Sequence, residues 1–169
     1  MMPDSPALTL EVGDQVVYGS HGVGTVSKRR LDSVVVEFDG LSVTLPLEQA
    51  RAAMRPVAGE AELAAVKRAL GSPASDTQTW QARQKATQGK VVAGEIVGLA
   101  EIVRDYTSRL MNGSGNPGSL SWTDRKAYRK ARELLAAEIA AFHGSTPADA
   151  DGWITAQLHA ATSTPPEVP

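Results

Sequence analysis

Residues 12–26 read VGDQVVYGSHGVGTV. Val12-Gly13-Asp14 opens a turn, and Gln15-Val16-Val17-Tyr18 reads as a first short strand. Gly19, Gly22 and Gly24 punctuate a tight loop around His21, and a second strand runs over 23–30. Leu31-Asp32-Ser33 is a turn, 34–38 is a third strand, and Asp39-Gly40 is a strong two-residue hairpin signal. Residues 41–47 alternate Leu and Val with Ser and Thr around Pro46. Four or five twisted antiparallel strands in so short a stretch predict a small open barrel of the SH3 or Tudor kind. A barrel of this size buries little apolar area, which suits a docking module.

On the N-terminal side, residues 1–7 lack periodicity, carry Pro3 and Pro6, and are expected to be a disordered lead. On the C-terminal side, 48–54 fits either a turn of helix or an edge strand. Arg55-Pro56-Val57-Ala58-Gly59 breaks the pattern, and everything beyond it reads helical. The expected plan is therefore α+β in two domains, a barrel over 8–56 and an all-α domain over 57–162. A loose tail over 163–169 follows.

In the helical half, 60–70 places Leu63, Val66, Ala69 and Leu70 on one face and stops at Gly71. Thr77 or Thr79 can cap a helix that starts near Trp80. Residues 94–111 line Ile96, Leu99, Ala100, Val103, Thr107 and Leu110 on one side, with Glu101, Asp105 and Arg109 opposite. Residues 112–118, NGSGNPG, form a flexible connector. A phosphate-cradling glycine loop would need a strand before it and Lys-Ser/Thr after it, and neither is present. Ser121 or Thr123 caps the next helix, which ends at Gly144. Tyr128, Ala131, Leu135 and Phe142 are its expected inner face. Arg125, Lys126, Arg129, Lys130 and Arg132 are its expected outer face. Pro147 starts a short last helix. Trp122 and Trp153 are assigned to packing.

The segment 77–90, TQTWQARQKATQGK, stands apart. Trp80 has Arg83 and Gln84 at i+3 and i+4, where a core tryptophan would have aliphatic partners. A large ring flanked by Arg83, Lys85 and Lys90 suits pressing on a nucleic-acid base step while holding phosphates. The alternative is an indole that closes the end of a helical core.

The chain has 169 residues and a net charge of −2, which by itself argues against nucleic-acid binding. The distribution argues otherwise. Residues 78–132 carry ten Lys/Arg against four acids, a local +6, which leaves −8 for the rest. Cysteine is absent, which excludes disulfides and cysteine metal sites and fits a reducing cytoplasm. There is no basic leader and no long apolar run, so neither a signal peptide nor a membrane span is expected. His21, His143 and His159 sit on separate elements, and Asp149 and Asp151 lack the remainder of a calcium loop. No cofactor, metal or catalytic constellation is expected.

Five stretches in order resemble one family. VGDQVVYGSHGVGTV, LSVTLPLEQA, TWQARQKA, VVAGEIVGLAEIVRDY and DRKAYRKARELLAAEIA are similar to CarD-type (CdnL) bacterial transcription regulators. The barrel of that family is shared with the transcription-repair coupling factor. The likeness covers residue 8 to about 158. It implies a monomeric, non-enzymatic initiation regulator in the cytoplasm. The barrel would dock on the lobe and protrusion of the RNA polymerase β subunit. The helical half would meet promoter DNA at the upstream edge of the melted −10 region. The family's wedge tryptophan falls on Trp80, and its backbone-holding cations fall on Arg83 and Lys85. Polymerase-facing positions fall on Arg29, Arg30, Thr44 and Pro46. Relatives often carry arginine where this chain has Thr44, and Arg29 and Arg30 compete for a second such position. The remaining reading is a docking adaptor whose helical half binds another protein.

Overall fold

Alternating valines build the first third of the chain into a sheet. The structure, a computed structural model, describes residues 8–74, 79–112 and 120–163. Side chains of Trp80, Asn112 and 161–163 are not among those described, so the lead, Thr77 as a cap, most of the connector and the last residues of the tail lie outside. The chain divides into two units, Met1–Val57 and Ala58–Pro169.

In the first unit, β1 (Gln15–Val17), β2 (Val23–Arg29), β3 (Ser33–Phe38), β4 (Leu41–Pro46) and β5 (Arg55–Pro56) form one antiparallel sheet. Their order is β4-β3-β2-β1-β5. Helix α1 (Leu47–Ala53) separates β4 from β5. The segment 55–59, which reads as a pattern break, therefore supplies a fifth strand, with Val16 opposite Pro56 and Val17 opposite Arg55. Two residues are too few to show an alternation, and proline is tolerated at this outer position because the strand is an edge.

Val16, Val26, Val34, Val36 and Leu45 point inward and pack with Leu10, while Ala50 and Met54 of α1 complete the core. Between Val26 and Lys28 the β2–β3 register shifts, leaving Ser27 as an extra residue that sharpens the local bend. Gly40 has φ of +75°, as the two-residue hairpin requires. Gly24 answers a different need. A Cβ at this position would lie 2.6 Å from a Phe38 ring carbon and 2.7 Å from Val36 Cγ1.

In the second unit, α2 (Glu60–Gly71) buries Leu63, Val66, Ala69 and Leu70, the face its spacing predicts. Its entry is fixed by two carboxylates. Glu62 accepts the Gly59 N–H at 2.9 Å, and the buried Glu138 accepts the Ala58 N–H at 2.9 Å. Helices α3 (Trp80–Ala93), α4 (Ile96–Asn112), α5 (Trp122–His143) and α6 (Pro147–Ser163) follow. The last helix is longer than its sequence suggests and takes in residue 163, the start of the expected tail.

Helix α4 buries Ile96, Leu99, Ala100 and Val103 as expected, and also Ile102 and Tyr106. It is covered on a second side, whereas Thr107 and Leu110 are only partly buried. Helix α5 buries Ala131, Leu134, Leu135, Ala136, Ile139 and Ala140. Phe142, expected inside, is 40% exposed and meets His143 edge-on beside the Gly144 turn, where the chain departs and coverage runs out. Trp153 packs against the core, as assigned.

Candidate nucleic-acid interface

Thr79 begins the site. Its Oγ1 accepts the Ala82 N–H at 3.3 Å, satisfying an orphan donor of the first turn and fixing where α3 starts. Trp80 is therefore the first helical residue. Its ring is not among the described side chains, so the structure does not test the outward indole read from the sequence.

Beyond Trp80, the described side chains of α3 are attached by polar contacts and by a partly buried Val91. Thr87 is its one buried residue among those described. Its hydroxyl lies 3.4 Å from the Tyr106 hydroxyl, which donates to Asp124 Oδ1 at 3.0 Å. Gln84 Nε2 reaches the same Asp124 oxygen at 3.4 Å. Asp124 is 4% exposed, and its own N–H is capped by Ser121 Oγ at 3.1 Å. Burial pushes the Tyr106 phenol above its ordinary pKa. The Thr87 contact opposes that shift, while the Asp124 bond and charge reinforce it.

The α3 cations are not equivalent. Lys85 is exposed. Arg83 is half-buried, its Nε is sealed from solvent without a hydrogen-bond partner, and its charge bears on Tyr106. Lys90 lies 3.2 Å from Glu101 Oε2 on α4, so part of its charge is already matched. Gly98 leaves room for its stem, with Lys90 Cγ 3.4 Å from where a Cβ would stand.

On α5, Arg125, Lys126, Arg129 and Lys130 are all exposed. At about 100° per residue they occupy one stripe of the helix. Arg132, which the sequence groups with them, is partly buried instead. It bonds Asp151, Tyr128 and Thr155 between α5 and α6. Burial works against its charge, but the Asp151 bond and Tyr128 outweigh it and hold the guanidinium pKa above the usual value. The reason is position. Residue 132 shares the phase of Arg125 but lies two turns further along α5, where Asp151 and Thr155 of α6 meet it.

Trp122 corrects the sequence reading outright. It is 69% exposed rather than packed, and Lys126 Nζ stands 5.2 Å from its ring centroid. The signal was available. Stepping back from Leu135 through Ala131 and Tyr128 by three and four residues lands on Asp124. Residue 122 is then on the opposite side, in step with 125, 126, 129 and 130.

In the first unit, the four positions expected to dock share one corner. Arg29 pairs with Val34, Val34 pairs with Leu45, and Thr44 and Pro46 flank Leu45 on edge strand β4. Arg29, Arg30, Thr44 and Pro46 are exposed. Arg29 is also tethered, donating from Nη1 to the Leu10 carbonyl at 2.7 Å.

Among the described residues, no group of three His, Asp or Glu side chains could hold a metal ion, and no helix is long and apolar enough to cross a membrane. An edge-exposing antiparallel sheet joined to a helical unit with an outward row of cations suits a two-part binding protein. Residues 10–58 match the CarD-like/TRCF RID domain, and residues 63–155 match the CarD C-terminal domain. The chain belongs to the CarD family, whose members are RNA-polymerase-interacting transcription regulators and not enzymes.

Proposed function

We propose that this protein regulates transcription initiation by docking on the β-subunit lobe and protrusion of bacterial RNA polymerase and stabilising the open promoter complex. It acts as a cytoplasmic monomer. Docking runs through Arg29, Arg30, Thr44 and Pro46. Edge strand β4 has backbone groups on one side to offer a partner strand.

The helical unit meets promoter DNA at the upstream edge of the −10 region. Trp80 wedges at the junction of duplex and bubble. Arg83, Lys85 and Lys90 hold the backbone beside it, and Arg125, Lys126, Arg129 and Lys130 extend the phosphate contacts. The observation that carries this reading is the exposed, single-sign row on α5 next to the start of α3. Gln84, one turn after Trp80, reaches Asp124 in the first turn of α5.

Prying a base step costs a few kcal/mol, so the wedge works only where the step is already opening. Stabilisation then equals the difference in affinity for open and closed forms, and about 1.4 kcal/mol gives a tenfold shift. Trp80→Ala is expected to leave polymerase binding intact and to remove most of the effect on open-complex lifetime, measured by competitor-challenge kinetics with purified polymerase. An unchanged lifetime overturns the wedge.

A further inference from the structure

We infer that Trp122 is a second aromatic contact to DNA, working with the α5 cations along one phosphodiester strand. Three observations combine. First, the Trp122 indole is 69% exposed at the start of α5, available to a partner. Asp124, not Trp122, occupies the inner position of that turn. Second, the ring heads a stripe that continues through Arg125, Lys126, Arg129 and Lys130. From 122 to 130 the stripe is about 12 Å long, at 1.5 Å per residue. One DNA strand presents a charge about every 3.4 Å of axis, so about three or four phosphates lie within its reach. Exposed Glu133 ends the run. Third, Lys126 Nζ sits 5.2 Å from the ring centroid, which covers one face and leaves the indole another surface to offer. An aromatic platform beside a row of cations suits a strand whose sugar or base packs on the ring while its phosphates meet the charges.

This contact rests on the helical half being the DNA-contacting half, but it is separate from the wedge. Trp80 discriminates a junction, whereas Trp122 adds affinity along a strand.

Binding of the full-length protein to labelled duplex, single-stranded and forked DNA of equal length, followed by anisotropy over a salt series, tests it. Trp122→Ala should weaken at least one of the three forms about tenfold without changing the salt slope, because no charge is removed. Trp122→Phe should recover part of that loss. Arg125→Ala/Lys126→Ala should instead reduce the slope by about 2, at roughly 0.9 per phosphate contact. The weakened form says whether the ring meets a base of an open strand or the edge of a duplex. Melting temperature is the folding control, and with so exposed a side chain it should not move.

If Trp122→Ala leaves all three affinities unchanged while the cation variant weakens them, the inference fails and the function proposed above stands. That is also the result if the ring serves an acidic protein segment instead. If neither variant affects DNA binding, both fall.

Discussion

Helices α3 and α5 lie side by side and are attached by different physics. Helix α5 sinks Ala131, Leu134, Leu135, Ala136, Ile139 and Ala140 into the core. Among its described side chains, helix α3 contributes a buried threonine and a partly buried Val91, with the polar contacts Gln84–Asp124, Thr87–Tyr106 and Lys90–Glu101 beside them. A fully buried aliphatic side chain contributes about 1.5–3 kcal/mol, whereas a hydrogen bond contributes about 0.5–1.5 net and a part-exposed ion pair less. By its described contacts, α3 is thus the more weakly held of the two. The difference teaches that two neighbouring helices, both with outward cations, can differ in what pins them.

The largest effect should come from the scaffold side. Leu135→Ala removes a fully buried side chain and is expected to cost about 2–5 kcal/mol of stability, read from denaturant unfolding. A loss near zero would mean that α5 is not the keel of this unit.

The polar seam of α3 should respond more locally. Asp124→Ala strips an acceptor from Tyr106 and Gln84 at a cost of about 1–3 kcal/mol. Hydrogen exchange should speed up in α3 while amides around Leu135 and Ile139 keep their protection. Equal loosening of both helices would erase the distinction between them.

The smallest effect is confined to alkaline pH. Because burial raises the Tyr106 pKa in the fold, the unfolded chain gives up this proton first, near pH 10. Below that pH the contribution is complete, and stability falls as pH rises from there through the folded-state value. Tyr106→Phe should flatten this limb of the stability–pH curve. An unaltered limb would place the phenol in a wetter seam than the geometry gives it.

The sheet was legible because Val34 and Val36 alternate with Val35 and Glu37, and the hairpin carries Asp39-Gly40. Strand β5 was not, since Arg55–Pro56 has no period and is defined by its partner β1. In the helical unit, the aliphatic faces of α2 and α4 were readable from spacing alone. Asp124 and Glu138 were not, because a buried carboxylate follows from the groups that come to meet it. Trp122 was misassigned by chemistry, not by spacing. Hydrophobic character argued for the interior, while the helical phase of Tyr128, Ala131 and Leu135 argued for the outside, and phase prevailed.

The close approach at Gly24 reaches beyond its own strand. With 2.6 Å between a hypothetical Cβ and the Phe38 ring, positions 24 and 38 are not free to vary independently. A combinatorial library over this sheet should return side chains at 24 only in clones that have shrunk residue 38, and usually Val36 as well. The ring of one strand is, in effect, the missing side chain of its neighbour.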